Sequence, residues 1–284
     1  MFQYAAGLRL AMRHRTALKL DLTFLLDRTL GEHYTFRDFD LVVFNLSESI
    51  ATADEVRRAK DSGQTRIDRF AKRVTGHCCY FERGSAFDSS VLRLPKRTYL
   101  EGYFQDERYF ADIAPIIRKR FQLVPDETHL SIATRELADA IRSNEGICLH
   151  VRRGDYVSNP VSNRAHGYCS LDYFRGALDK LRSRGASGRV FIFSDDAAWC
   201  REHFSSGEFI VVGDEYAGPH ASIHFWLMTL CKHFVISNSA FSWWAAWLAQ
   251  RPDSIVCAPA PWFEEPQYSA MEICPSSWLR VPKQ

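Results

Sequence analysis

The second half of the chain alternates short apolar runs with amphipathic segments, and this order constrains the fold more than any other feature. Apolar runs predict strands at 147–151, 189–193, 209–212, 233–236 and 254–257. Helical spacing of the apolar residues predicts helices at 137–142, 171–182, 197–203, 220–231 and 241–249. Strands that alternate with helices predict an α/β fold, in which a parallel sheet has helices on both faces.

The first half of the chain is less regular. Helical spacing is found over residues 1–14, 52–60 and 113–121, and strand-like patterns are found over 17–22 and 37–46. Pro125 and the polar residues 126–128 then interrupt the pattern. We therefore predict an N-terminal domain of residues 1–128 and a C-terminal domain of residues 129–284.

The bulk composition excludes several classes of protein. The formal net charge of the 284-residue chain is only +2, which is too small to indicate nucleic acid as a partner through overall charge. The apolar stretches are too short to span a bilayer, and the N-terminus lacks the layout of a signal peptide. The eight cysteines form no Cys-x-x-Cys pair, and the spacing of His77-Cys78-Cys79 fits no common zinc site. A cytoplasmic, reducing location is therefore expected.

A pair of arginines follows the first predicted strand of the second half, in the sequence His150-Val151-Arg152-Arg153-Gly154-Asp155-Tyr156. Two fixed positive charges at the end of a buried strand are costly unless an anion meets them, and phosphate fits the guanidinium fork best. Arg152 and Arg153 are therefore candidate phosphate ligands. The alternative is a surface turn in which Asp155 serves as an ion-pair partner or a helix cap.

Polar clusters also follow two other predicted strands. Asp195 and Asp196 follow the strand at 189–193, where they could hold a metal, cap the next helix, or accept from the adjacent N–H donors of a base. Asn238, Ser239 and Ser242 surround the start of a predicted helix, where free N–H groups bind anions, although serine and asparagine are also ordinary caps and the neighbouring tryptophans are expected in the core. Because ligands bind beyond the carboxyl ends of parallel strands, the three loops together predict a pocket for a nucleoside diphosphate.

Several common motifs are absent from the sequence. It contains no dinucleotide fingerprint, no P-loop and no Gly-x-Ser-x-Gly elbow. The tripeptide Asp38-Phe39-Asp40 has the spacing that metal-dependent sugar transferases use. Because it leads into the apolar run 41–44, it is interpreted as a solvated strand end.

These motifs give the chain a resemblance to the α-1,2-fucosyltransferases of glycosyltransferase family eleven, of the bacterial type. The resemblance covers almost the whole chain, in the order of the family. It rests on Met1-Phe2-Gln3-Tyr4-Ala5, on the segment from Tyr99 to Phe110, on His150 to Tyr156, on Phe193-Ser194-Asp195-Asp196, and on the segment from Ser237 to Leu248.

The resemblance implies two Rossmann-like domains facing a cleft, the arrangement named GT-B, with the acceptor on the N-terminal domain and the donor on the C-terminal one. It implies inverting transfer of fucose from GDP-fucose to a galactose hydroxyl of a glycan, without a metal cofactor. Arg152 and Arg153 fall on the motif that contacts the donor phosphates. His150 and an aspartate of the 195–196 pair fall near guanosine, and Ser239 and Ser242 fall near the β-phosphate. Asp155 is a candidate catalytic base by its position in the sequence.

The chain departs from the family pattern at its start. Family members carry a Gly-Leu-Gly-Asn-Gln loop and a strand before the Met-Phe-Gln-Tyr sequence, so the first domain is expected to be incomplete. An inactive GDP-sugar-binding remnant of the same fold and a fucosyltransferase of another linkage therefore stand as alternatives. The expected acceptor is a free or lipid-linked glycan, and the expected location includes peripheral contact with the inner membrane.

Overall fold

The computed structural model describes residues 1–29, 38–46, 48–61, 78–84, 86–217, 221–268 and 273–284. The chain divides into two compact units. The first comprises Met1–Phe121 together with Ile273, and the second comprises Gln122–Ser269 and Cys274–Gln284. Every helix among the described residues is too short or too polar to traverse a lipid bilayer.

The first unit combines helices with two pairs of short parallel strands. Its helices are α1 (Phe2–Arg13), α2 (Thr23–Leu26), α3 (Ala53–Asp61) and α4 (Ala114–Arg120). Its strands are β1 (Lys19–Leu20), β2 (Ser49–Ile50), β3 (Cys78–Phe81) and β4 (Thr98–Glu101). Within the described residues, β1 pairs with β2 and β3 pairs with β4.

Helix α1 supplies much of the core of the first unit. It buries Phe2, Tyr4, Ala6 and Leu10, and the centroid of the Tyr4 ring lies 5.2 Å from that of the Phe121 ring. Eight of the twelve residues of α1 are buried, so the helix is held by packing along most of its length.

The structure corrects two sequence interpretations in this unit. The predicted strand at 37–46 is instead a 3₁₀ helix over Asp40–Phe44, so Asp38-Phe39-Asp40 leads into a helix and not a strand. None of its residues is buried, and Asn45 ends it in a left-handed conformation with φ 49°. The apolar run is thus only partly covered, since the Phe44 ring lies 5.0 Å from the ring of the buried Phe121 while Val42 is 63% exposed. Residue 37 and His77 lie outside the described residues. The predicted strand at 17–22 shortens to β1, while the helices at 1–14, 52–60 and 113–121 are confirmed by α1, α3 and α4.

The second unit is a doubly wound α/β structure. Its strands are β5 (Ile147–Val151), β6 (Val190–Ser194), β7 (Phe209–Val212), β8 (His233–Val235), β9 (Val256–Ala260) and β10 (Leu279–Pro282). All six are parallel and lie in the order β7-β6-β5-β8-β9-β10. In this order the connections reverse direction between β5 and β8. A ligand crevice is expected outside the carboxyl ends of these two strands.

Helices cover both faces of this sheet. The helices of the second unit are α5 (Ile132–Ser143), α6 (Gly154–Ser158), α7 (Pro160–His166), α8 (Leu171–Arg182), α9 (Ala197–His203), α10 (Asp214–Ala217), α11 (Ala221–Leu230) and α12 (Ala240–Ala249). On one face, Leu149 and Ile192 pack in a buried cluster with Phe174 of α8 and Cys200 of α9. On the other face, the rings of His150 and Phe241 of α12 lie 6.0 Å apart.

The strand and helix predictions for this unit are largely confirmed. Strands β5 and β7 and helices α8 and α9 have the predicted bounds, and the other predicted elements differ by one to five residues at one or both ends. His220, the predicted start of the helix at 220–231, lies outside the described residues. Trp243 and Trp244 are buried as expected of core residues. Strand β10 has no counterpart among the predictions. Its residues Leu279 and Arg280 are half-buried and only Val281 is buried, so its apolar signal is weak.

Candidate functional site

The candidate site lies where β5 and β8 end. Ser237 joins the two strand ends, because its hydroxyl donates to the His150 carbonyl over 2.8 Å and accepts from the Arg152 N–H over 3.0 Å. The Ser237 N–H also donates to the same carbonyl over 3.2 Å. These bonds fix the backbone at the point from which Arg152 and Arg153 leave the sheet.

Three carboxylates surround the two arginines. Arg152 pairs with Asp155 through one terminal nitrogen and with Asp195 through the other, at 3.0 Å. Asp195 also accepts the Arg153 N–H over 2.8 Å. The Nε of Arg153 donates to Asp196 over 3.1 Å. The five charged side chains are only 18–36% exposed, so the network is screened less than a surface ion pair would be.

Arg153 is further held by an aromatic ring. Its guanidinium carbon lies 4.2 Å from the centroid of the Trp199 ring, within the range of a cation–π contact. The other oxygen of Asp196 accepts from the Trp199 N–H over 3.1 Å and so caps helix α9. One carboxylate therefore fixes both the arginine and the helix that presents the ring. No described residue accepts a hydrogen bond from the two terminal nitrogens of Arg153.

Gly154 is required by the closeness of Asp195. A Cβ atom at position 154 would lie 2.5 Å from Oδ2 and 3.2 Å from Cγ of that aspartate, which is closer than nonbonded atoms approach. The residue between the arginine pair and Asp155 must therefore lack a side chain if Asp195 is to reach Arg152.

His150 lies beneath the arginines and is 6% exposed. Its Nδ1 is buried and has no hydrogen-bond partner among the described residues. Burial lowers the pKa of His150 to about 3, with smaller contributions from the charges of Arg152 and His224. The ring is therefore neutral near pH 7. A buried ring nitrogen without a partner is uncommon, and it can accept from or donate to a bound ligand.

Asn238 and Ser242, two other polar residues of the predicted site, bond to backbone carbonyls of the protein. The Asn238 amide donates to the carbonyls of His166 over 2.7 Å and of Trp262 over 3.1 Å. The Ser242 hydroxyl is buried and bonds to backbone carbonyls at the start of α12. Ser239 precedes α12 without a side-chain capping bond. The structure thus brings Arg152, Arg153, Asp155, Asp195 and Asp196 into one network, and it directs the side chains of Asn238 and Ser242 into the protein.

Three contributors were not anticipated from the sequence. Ser237 and Trp199 contact the arginines as described above. Tyr156 lies under Arg152 at 5.5 Å, stacks on His166 at 4.8 Å and donates to the Asn238 carbonyl. Tyr156 and Ser237 are members of the sequence motifs to which no role was assigned, and this membership was the available signal. Trp199 had none, because its role depends on how α9 packs.

The described residues contain no group of three or more His, Cys, Asp or Glu side chains that could hold a metal ion. The charged network instead balances two guanidinium groups against three carboxylates. Such an arrangement can bind an anion only at nitrogens that the carboxylates leave open. Among the described residues, those nitrogens are the two terminal nitrogens of Arg153 and the Nε of Arg152.

Comparisons with known proteins identify relatives of the chain. The chain is 29% identical to an alpha-1,2-colitosyltransferase from Escherichia coli, over 100% of this chain and 95% of that protein. It is 28% identical to the O-antigen biosynthesis glycosyltransferase WbnK from Escherichia coli, over 99% and 96%. It is 30% identical to galactoside alpha-(1,2)-fucosyltransferase 2 from Mus musculus, over 52% of this chain and 44% of that protein.

No solved structure gives a significant match to the chain. The family model described as glycosyl transferase family 11 matches residues 79–281, which include every residue of the charged network. That match extends over more than half of the chain. The protein is a glycosyltransferase and belongs to glycosyltransferase family 11.

Proposed function

We propose that the protein transfers fucose from GDP-fucose to a galactose 2-hydroxyl of a glycan, with inversion at the transferred carbon. The second unit binds the donor and the first unit binds the acceptor. The proposal rests on how the guanidinium of Arg153 is held. Its Nε is held by Asp196 and its face by Trp199, while its terminal nitrogens are open to a pyrophosphate.

The arginines can stabilise the negative charge that develops during the reaction. When the bond between the sugar and the phosphate breaks, its electron pair moves to the departing GDP, and positive charge develops on the sugar ring. A fixed guanidinium in a site that excludes water stabilises the negative charge without reorganising. Arg153 is the main residue in this role. Arg152 supports it, because both of its terminal nitrogens are already paired with carboxylates. No metal cofactor is needed for this step.

His150 supports the assignment of GDP as the leaving group. Its neutral ring has an unpartnered buried nitrogen at the end of β5, where an edge of the guanine can hydrogen-bond. Asp195 and Asp196 follow the neighbouring strand β6. The acceptor hydroxyl attacks from the opposite face of the sugar and loses its proton late, and Asp155 is the candidate base. Its contact with Arg152 must loosen for it to take a proton.

The test is turnover of Arg153→Ala and Arg153→Lys with GDP-fucose and a β-galactoside acceptor, in buffer containing EDTA. Loss of the Arg153 guanidinium is expected to lower turnover by about 100-fold or more in both variants. Lysine does not restore it, because a single ammonium group does not replace the planar pair of N–H donors. Arg201→Ala, an exposed arginine of α9, is the matched control. Wild-type turnover in both Arg153 variants would refute the assignment. GDP-fucose binding without GDP release would identify a binding remnant.

A second candidate is transfer of colitose in place of fucose. It is favoured by the relative named alpha-1,2-colitosyltransferase, which matches over the whole chain, whereas the mouse fucosyltransferase matches over about half. Colitose is fucose without the 3-hydroxyl, so a site that hydrogen-bonds this hydroxyl rejects colitose strongly. Competition between GDP-fucose and GDP-colitose at equal concentration, with the linkage of the product determined by NMR, decides between the two sugars.

A further inference from the structure

Charge is distributed unevenly between the two parts of the chain. Residues 1–121 contain 21 Lys and Arg against 16 Asp and Glu, a formal net charge of +5. Residues 122–284 contain 15 against 18, a net charge of −3. The overall charge of +2 therefore conceals a basic first unit.

Two segments of the first unit bring part of this positive charge together. Arg9 of α1 donates to the Leu92 carbonyl, and the His14 Nε2 lies 2.8 Å from the Leu94 carbonyl. These contacts join the end of α1 to residues 92–97. The basic residues beside the contacts are all exposed, and together they form what is here named the basic surface: Arg13, Arg15, Arg93, Lys96 and Arg97.

The basic surface has no neutralising counter-charge in the part of the chain that the structure describes. Among the described residues, no carboxylate forms an ion pair with any of the five side chains. Asp112 lies beside this surface, but it accepts from Arg9 through both oxygens. Elsewhere in the unit exposed arginines do find partners, as Arg57 does with Asp54. Clustered like charges repel one another, so an external anion that binds here gains the attraction of all five.

The residues between the charges indicate which anionic partner fits. Met12, which is 40% exposed, precedes Arg13, and Leu94 and Pro95 separate Arg93 from Lys96. Basic residues interleaved with aliphatic ones suit the interface of an anionic bilayer. The two segments, 12–16 and 93–97, contain no Phe, Tyr or Trp on which a nucleic-acid base could stack. We propose that the basic surface docks the first unit on an anionic phospholipid membrane.

The experiment measures binding of the full chain to vesicles, which needs no turnover and is independent of the proposed reaction. Vesicles of equal parts phosphatidylglycerol and phosphatidylcholine are compared with phosphatidylcholine alone. The wild type is expected to sediment with the anionic vesicles only. Binding is expected to be lost between about 0.1 M and about 1 M salt, as the Debye length falls from about 10 Å to about 3 Å.

The variants test the surface itself. The triple variant Arg13→Gln, Arg93→Gln, Lys96→Gln should bind the anionic vesicles on the order of 100-fold more weakly, since each basic side chain near such a membrane contributes about fivefold. The control triple Arg135→Gln, Arg175→Gln, Arg184→Gln removes the same charge from exposed positions of the second unit. It should bind nearly as the wild type does. Both triples should retain turnover with a soluble acceptor.

Two results would overturn the proposal. Equal weakening in the two triples would mean that overall charge, and not this surface, governs binding. Tighter binding of a DNA or RNA oligonucleotide than of the anionic vesicles at the same salt concentration would mean that the surface serves nucleic acid. Loss of turnover in Arg153→Ala with vesicle binding intact leaves the membrane proposal standing, so failure of one proposal does not imply failure of the other.

Discussion

Arg153 is held by contacts on different sides, and the aromatic contact is the one that a mutation can remove most cleanly. The Trp199 ring lies between the guanidinium, 4.2 Å away, and the His203 ring, 4.3 Å away. Trp199→Leu leaves the Asp196 bond but lets the guanidinium rotate about it. A cation–π contact contributes about 1 kcal/mol, so the turnover number should fall about fivefold with the KM for the acceptor unchanged.

Two further variants separate positioning of Arg153 from loss of stability. Trp199→Tyr keeps an aromatic face and should restore most of the rate. His203→Leu removes the ring on the far side of Trp199, which does not touch Arg153, and should keep the turnover number. Steady-state kinetics and thermal unfolding are measured for all three. If the rates follow the melting temperatures regardless of which ring is lost, Trp199 has only a structural role.

His150 makes the stability of the protein depend on pH in a predictable direction. Its pKa is about 3 in the folded protein, mainly because of burial, and about 6.5 in an unfolded chain. Below pH 6.5 the unfolded chain therefore binds an extra proton. The stability present above pH 6.5 is lost as the pH falls towards 3. Between about pH 6 and pH 4, this residue should contribute about 1.4 kcal/mol per pH unit to the slope of the free energy of unfolding against pH. His150→Gln should remove that contribution and so make the slope shallower.

Urea unfolding at a series of pH values measures that slope. His129→Gln is the control, because the His129 side chain is 84% exposed on a short 3₁₀ helix. The control should reproduce the slope of the wild type. A slope in His150→Gln equal to that of the wild type would show that the ring gains its proton over the same pH range in the folded protein as in the unfolded chain.

At the scale of elements, helix α6 begins at Gly154 against the loop that follows β6. A methyl group there would displace the Asp195 carboxylate from Arg152 and from the Arg153 N–H. Gly154→Ala should lower turnover by about 10- to 100-fold, because displacements of about 1 Å at a reacting group have effects of this size. Gly176→Ala is the matched control, since a Cβ there meets no atom within 4 Å. It lies inside α8, where alanine should add about 1 kcal/mol of stability without changing turnover.

The sequence predicted elements well where their burial is continuous. All five residues of β5 are buried, and an apolar run of that kind leaves few alternatives. The approach of the Asp195 loop to Arg152 also follows from sequence, because parallel neighbours such as β5 and β6 end at the same edge. The 3₁₀ helix at Asp40–Phe44 was not predicted, because an apolar run does not indicate whether other residues will pack over it. The amide of Asn238 was expected to face the donor. It bonds to carbonyls far along the chain, and local sequence cannot specify such partners.

At the scale of the whole molecule, the eight cysteines can be used to follow folding. None of them forms a disulfide, and only Cys78 and Cys79 are half-exposed. The other six are buried, and burial raises the pKa of Cys200 and Cys257 to about 11. Only a thiolate reacts rapidly with an aromatic disulfide reagent. The native protein should therefore show a fast phase of about two thiols, and all eight should react in denaturant.

The same titration tests whether the two units protect their thiols together. The six buried cysteines all lie in the second unit, whereas Cys78 and Cys79 belong to β3 of the first. Replacing both with serine should abolish the fast phase and leave the slow thiols unchanged. Because no disulfide joins any of the eight, a reductant should not shift the melting temperature. A fast phase that persists in the double serine variant would mean that the second unit opens locally, and the slow thiols would then react at a rate independent of global unfolding.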